Sequence, residues 1–180
     1  MKTKYHFVKK EKKKNVYVED KKINNLAKKK LSEIYKKSKD IVPERYLNNW
    51  DDVKLFHPSG NIEKAEALII DLEEGAYSLK NKINHLTGKE WTKFTKSWFI
   101  FNAINSDLKE EREILNKFKL NPAEHPATFS PTMINEFVNF FTKPKDLVFD
   151  PFCGIGTTLV ACDRSKRKGI GIELNKKYVD

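Results

Sequence analysis

Asp150-Pro151-Phe152-Cys153-Gly154-Ile155-Gly156-Thr157-Thr158 decides the fold of this chain. Leu147-Val148-Phe149 stands before it, a short apolar run of the kind that forms a buried strand. After it, Thr157 to Ser165 carries Leu159, Val160 and Cys162 and reads as a helix, and Gly169-Ile170-Gly171-Ile172-Glu173-Leu174 reads as a second strand. Strand, glycine-rich turn, helix and strand make one βαβ unit, and such units build parallel sheets. The predicted class is therefore α/β. One unit is not a whole sheet, so either further strands lie upstream or the chain is incomplete.

The same stretch has the chemistry of a binding site. It sits at the carboxyl end of a strand, where open α/β sheets take their ligands. Gly154 and Gly156 let backbone approach a ligand with no Cβ in the way. The unpaired N–H groups of the next helix begin at Thr157 and Thr158. Glu173, at the end of the second strand, suits paired hydrogen bonds to ribose hydroxyls. A nucleoside-containing cofactor is expected across the two strand ends. The dinucleotide pattern G-x-G-x-x-G fails, because Leu159 holds the third glycine's place. The P-loop pattern fails too, because Gly156-Thr157-Thr158 has no lysine. A nucleoside without a pyrophosphate remains, and S-adenosylmethionine fits it.

Asp150-Pro151-Phe152-x-Gly154-x-Gly156-Thr157-Thr158 resembles the first motif of the DNA N6-adenine and N4-cytosine amino-methyltransferases. His125-Pro126-Ala127-Thr128-Phe129 resembles the motif that precedes it in that family and contacts the cofactor's methionine end. Gly171-Ile172-Glu173-Leu174 with Tyr178 resembles the motif that follows it. Leu86 to Trp98 resembles a segment found further upstream in a prokaryotic branch. The resemblance covers roughly residues 86–180. It implies a partial Rossmann-like, S-adenosylmethionine-dependent methyltransferase fold. It also implies a cofactor site made of His125, Pro126, Ala127, Thr128, Phe129, Asp150, Pro151, Phe152, Gly154, Gly156, Thr157, Thr158 and Glu173. DNA is the implied partner, and a restriction–modification setting is the implied context.

Two departures stand out. Ile155 occupies a place where the family usually has Ser or Thr; both glycines remain, so cofactor binding is expected to survive. The family's catalytic motif, [Asp/Asn/Ser]-Pro-Pro-[Tyr/Phe/Trp], is absent: the chain has 7 prolines and no two are adjacent. By resemblance, that motif accepts the hydrogens of a flipped base's amine and stacks on its ring, so that the amine attacks the sulfonium methyl in line. The expectation is a fragment of a methyltransferase for adenine N6 or cytosine N4, inactive by itself. The alternatives are a non-catalytic nucleic-acid-binding module and an RNA methyltransferase.

Upstream, charge is the informative feature. The formal net charge of +10 lies wholly in residues 1–40, and residues 41–180 are neutral. Such an arm attracts polyanions, or merely solubilises the chain. Residues 1–20 lack a clean period and are expected to be mobile. Ile23, Leu26, Ala27, Leu31, Ile34 and Tyr35 predict an amphipathic helix that Pro43 ends. Residues 44–60 are expected to be loop, with His57-Pro58-Ser59-Gly60 as its turn. Helices are predicted from Asn61, over Ser78 to Asn84, over Glu110 to Lys119 and over Thr132 to Phe141. Thr87-Gly88 reads as a breaker, and Trp91, Phe94, Trp98 and Phe99 as core packing. The expected division is a basic, mostly helical region at 1–85 and a partial methyltransferase domain at 86–180. Cys153 and Cys162 have neither metal-ligand spacing nor a disulfide framework, and no apolar run approaches a membrane span. No metal and no membrane are expected, and the compartment expected is reducing cytoplasm.

Overall fold

The computed structural model describes residues 4–37, 41–101, 109, 116 and 129–179. They form two compact units, residues 1–95 and 96–180. Except for residue 116, the helix predicted over Glu110 to Lys119 lies outside the described residues, as do His125, Pro126, Ala127 and Thr128.

The first unit is built on a sheet, which corrects the mostly helical expectation. Its strands are β1 (Phe7–Glu11), β2 (Lys14–Tyr17), β3 (Lys54–His57), β4 (Ala67–Ile69) and β5 (Tyr77–Ser78), in the spatial order β2-β1-β3-β4-β5. β1 runs parallel to β3, and the other pairs are antiparallel. Helix α1 (Lys21–Lys37) follows β2 as predicted, burying Asn24, Ala27 and Leu31. Phe7, Leu55, Leu68, Tyr46 and Tyr77 are almost wholly buried with them. Each such side chain contributes about 1.5–3 kcal/mol. That burial accounts for the ordered strands at residues 7–17, where mobility was expected. Phe7 and Val8 are fully enclosed, and this outweighs the repulsion among the neighbouring lysines.

Three further expectations change for the same reason. The segment from Asn61 is a single 3-10 turn, Ile62–Lys64, followed by β4. Its apolar residues pair with β3 instead of lining a helix. Asn61 does act as the cap, accepting from Glu63 N at 2.9 Å. Tyr77–Ser78 is a strand, and the residues after it are held by Asn81 and Asn84, not by helical bonds. Residues 44–57 contain α2 (Glu44–Asn48) and β3, although the turn at His57 to Gly60 forms, with Gly60 at φ +70°.

Thr87-Gly88 starts a helix and does not break one. In α3 (Gly88–Lys93), Thr87 and Glu90 form a capping box. Glu90 also clamps Arg45 through two bonds, 2.6 and 2.7 Å, so residues 86–95 pack with the first unit. Burial raises the Glu90 carboxyl. The hydrogen bonds from Arg45 and Thr87, together with the Arg45 charge, outweigh it and bring the group down to about 2.

The second unit contains α4 (Pro131–Phe141), β6 (Leu147–Asp150), α5 (Thr157–Arg164) and β7 (Lys168–Gly171). β6 and β7 are parallel neighbours, with Val148 opposite Gly169 and Asp150 opposite Gly171. These four elements match the sequence expectation, except that β7 ends at Gly171. Arg167 ties the unit together, donating to Thr142 Oγ1 at 3.1 Å and to Thr142 O at 2.9 Å. Alternation gives the two strands unlike faces. Val148, Asp150, Gly169 and Gly171 share one face, and Leu147, Phe149 and Ile170 share the other, where all three are about half exposed. Trp98, expected in a core, is 65% exposed, while Phe99 and Phe101 pack on Phe137. Among the described residues no helix is long and apolar enough to cross a membrane.

Candidate functional site

The carboxyl ends of β6 and β7 carry the predicted turn. Asp150, the last residue of β6, uses both carboxylate oxygens within it. Oδ1 accepts from Phe152 N at 3.0 Å, and Oδ2 accepts from Thr158 Oγ1 at 2.5 Å. One side chain thus ties the strand end to the turn and to the first residues of α5. Gly154 and Gly156 both adopt positive φ, +52° and +87°, conformations that residues with a Cβ adopt only at a steric cost. Gly156 is the residue preceding α5. Thr157 is buried behind the turn, whereas Pro151 and Phe152 face outward, Phe152 being 87% exposed.

Glu173 lies two residues beyond β7 and still reaches the turn. Its Oε2 accepts from Gly154 N at 2.9 Å, and its Oε1 accepts from Asn175 N at 2.8 Å. Both oxygens of the carboxylate thus take part in holding the turn and the segment after β7. Leu174 beside it is 96% exposed. The turn and its flanks thus combine a carboxylate, two exposed apolar side chains, Phe152 and Leu174, and the N-terminal residues of α5.

Ile155, the departure from the family pattern, is buried at 9% exposure. That burial suits an apolar residue at this place. Among the other predicted site residues, Phe129 is exposed and precedes α4.

The sequence reading missed Gly169 and Gly171. A Cβ on Gly169 would lie 2.8 Å from Leu159 Cδ2, and one on Gly171 would lie 2.6 Å from Cys153 Sγ and 2.7 Å from Cys153 Cβ. Both glycines let α5 and the turn settle onto the strand pair. Two glycines spaced i, i+2 in a strand share one face, and that spacing was the available signal. Cys153 and Cys162 are free thiols that burial pushes up in pKa, as suits packing residues. Among the described residues no group of three or more His, Cys, Asp or Glu could hold a metal.

The chain is similar to several modification enzymes. It is 36% identical over 95 residues to the type II methyltransferase M.Cfr9I of Citrobacter freundii, covering 49% of this chain and 32% of that protein. It is 38% identical over 78 residues to M.XycI of Xanthomonas campestris pv. cyanopsidis, covering 43% of this chain and 26% of that one. Among solved structures, the M1.HpyAVI–SAM complex matches at 42% identity over 31% of this chain and 27% of that chain, with a TM-score of 0.30. The PvuII DNA methyltransferase, described as cytosine-N4-specific, matches at 27% identity over 58% and 36%, with a TM-score of 0.36. The chain thus spans about a third or less of the length of these two curated relatives. The family model for N6/N4 methyltransferases, described as DNA methylase, matches residues 1–180, and the chain belongs to that family.

Proposed function

We propose that residues 96–180 form part of a Rossmann-like domain that binds S-adenosylmethionine for a DNA amino-methyltransferase. The reaction is methyl transfer to the exocyclic amine of adenine (N6) or cytosine (N4). The observation that carries this reading is the bond from Gly154 N to Glu173, which sets a carboxylate across the ends of two parallel strands. In this reading Glu173 is the acceptor for the ribose hydroxyls. Leu174 and Phe152 give the base an apolar surface. Gly154 and Gly156 let backbone come close to the ligand with no Cβ in the way, and Thr157 and Thr158 bring the first N–H groups of α5. Asp150 is a positioning residue: it holds the turn and the helix start in register. Pro151 fixes one backbone angle of the turn that follows the strand end. His125, Pro126, Ala127, Thr128 and Phe129 are assigned to the methionine end by family resemblance.

Bound there, the cofactor supplies an electrophilic methyl group. Making the acceptor amine nucleophilic needs acceptors for its hydrogens and a stacking partner for its ring, and these 180 residues contain no Pro-Pro pair to provide them. The 180 residues are therefore expected to bind cofactor without transferring methyl groups. Titration calorimetry with S-adenosylmethionine, with NAD as control, tests the reading. Saturable binding of S-adenosylmethionine alone supports it, as does a loss of about tenfold or more in Glu173→Ala, the scale of one charge-assisted bond. Equal binding of NAD, or no effect of Glu173→Ala, contradicts it. A transfer assay with duplex DNA tests the second half, which detectable turnover would overturn.

A further inference from the structure

The lysine surplus of the N-terminal 40 residues is not spread along a tail: part of it is mounted on a folded β-hairpin. Glu11 pairs with Lys14, so Lys12 and Lys13 are the two loop residues joining β1 to β2. Both have positive φ, +37° and +73°. Two-residue hairpin loops of this sense favour Asn-Gly, Asp-Gly or Gly-Gly, because a Cβ at positive φ collides with its own backbone. Adjacent like charges add repulsion to that strain. For folding alone, Lys-Lys is a poor choice on both counts.

Protection of the sheet edge does not explain the pair either. Lysines blunt an edge strand when they lie along its ladder, as Lys14 does on β2. Lys12 and Lys13 lie beyond the ladder, at the tip. Nor are these charges neutralised. Lys9 is paired with Glu11 and Lys4 with Asp51, but Lys10, Lys12, Lys13 and Lys14 are exposed and have no ion-pair partner among the described residues.

We propose that the β1–β2 hairpin is an arm that grips the phosphate backbone of duplex DNA, with Lys12 and Lys13 as its leading contacts and Lys10 and Lys14 behind them. A folded ribbon holds the four charges at fixed spacing, so less order is lost on binding than with a free tail. Two strands are narrow enough for the major groove of B-form DNA and too wide for that of an A-form RNA duplex. The choice of DNA also rests on the methyltransferase reading; the phosphate grip rests on the charges alone. Such contacts fix position on the duplex and carry no sequence information.

The test uses the whole 180-residue chain and its Lys12→Asn/Lys13→Gly variant. Fluorescence anisotropy follows binding to a short labelled DNA duplex between about 50 and 200 mM salt. Each phosphate contact contributes about 0.9 to the slope of log affinity against log salt. The variant should therefore lose about two units of slope and roughly tenfold or more of affinity at the low-salt end. Its melting temperature should be equal or higher, because the turn strain is relieved. Absence of DNA binding by the parent chain, or an unchanged slope in the folded variant, overturns the proposal. Tighter binding of an RNA duplex through the same two lysines overturns the choice of DNA. Calorimetry with S-adenosylmethionine on the same samples separates the two proposals, because the hairpin variant should keep the parent's cofactor affinity whatever that affinity is.

Discussion

Replacing Gly171 with alanine places one methyl group where the turn meets the strand pair. The new Cβ would stand 2.6 Å from Cys153 Sγ and 2.7 Å from Cys153 Cβ. Ordinary contact begins near 3.4 Å, so roughly 0.7–0.8 Å must be recovered. The sulfur can rotate away, but the Cβ is fixed by its backbone. That backbone is pinned, because Cys153 N donates to Ile172 O at 3.0 Å, one residue beyond Gly171. Relief therefore requires the turn to lift off β7, at a cost of about 1–3 kcal/mol, the usual range for overpacking. The same lift stretches the Gly154–Glu173 bond. Gly171→Ala should lower the stability of the second unit by about 1–3 kcal/mol in urea unfolding and weaken S-adenosylmethionine binding in calorimetry. A second substitution separates the causes. Cys153→Ala keeps the offending Cβ and should rescue little, whereas Cys153→Gly should restore most of the loss. Full rescue by Cys153→Ala, or no cost of Gly171→Ala at all, would refute the reasoning.

Other expectations follow from the same structure. Glu90 is held at about 2 against an ordinary value of 4.5, a difference of roughly 3 kcal/mol before screening. The Arg45 and Glu90 side chains are 37% and 30% exposed, which reduces the contribution to about 1–2 kcal/mol. Because the folded value is depressed, this stability is complete above pH 4.5 and is lost as pH falls towards 2. Glu90→Gln should lower the melting temperature at neutral pH and flatten its decline across that window. Gly156 presents the converse of Gly171: the space around a new Cβ is open, with Leu159 Cδ1 at 3.9 Å, but φ is +87°. Gly156→Val should cost about 1–2 kcal/mol or more through backbone strain, and Gly156→Asn clearly less, by thermal melting. Cys162 is fully buried and Cys153 partly so. An aromatic disulfide reagent should titrate at most one thiol in the native chain and both in denaturant; rapid modification of both without denaturant contradicts the packing described.

The strand, turn and helix that carry the candidate site were legible where local pattern decides them. Leu147 to Phe149, the helix at Thr157 and the glycines at 154 and 156 announce strand, turn and helix within a few residues. The acid at 173 was expected at a strand end; it lies two residues beyond β7 and reaches the turn through the bond from Gly154 N. Gly169 and Gly171 were not recognised as site-shaping, because what requires them is the bulk of Leu159 and Cys153, brought near only by the crossover. The first unit was largely misread for a related reason. Its strands are 2 to 5 residues long, and β1 pairs with β3, which is distant in sequence. Ala65, Leu68, Ile69 and Leu72 satisfy a helical spacing when viewed alone; pairing with β3 and β5 decides otherwise. The hairpin escaped notice because Lys-Lys is not a turn signal, and the reading of Thr87-Gly88-Lys89-Glu90 stopped at Gly88 although Thr87 and Glu90 have capping-box spacing.

The most direct measurement is an amide-resolved NMR titration of the 180-residue chain with S-adenosylmethionine. The cofactor reading predicts saturable shifts at Gly154, Gly156, Thr157, Thr158 and Glu173 to Asn175, with the resonances of the β1–β5 sheet essentially unmoved. Shifts confined to that sheet, or none at saturating cofactor, would contradict it.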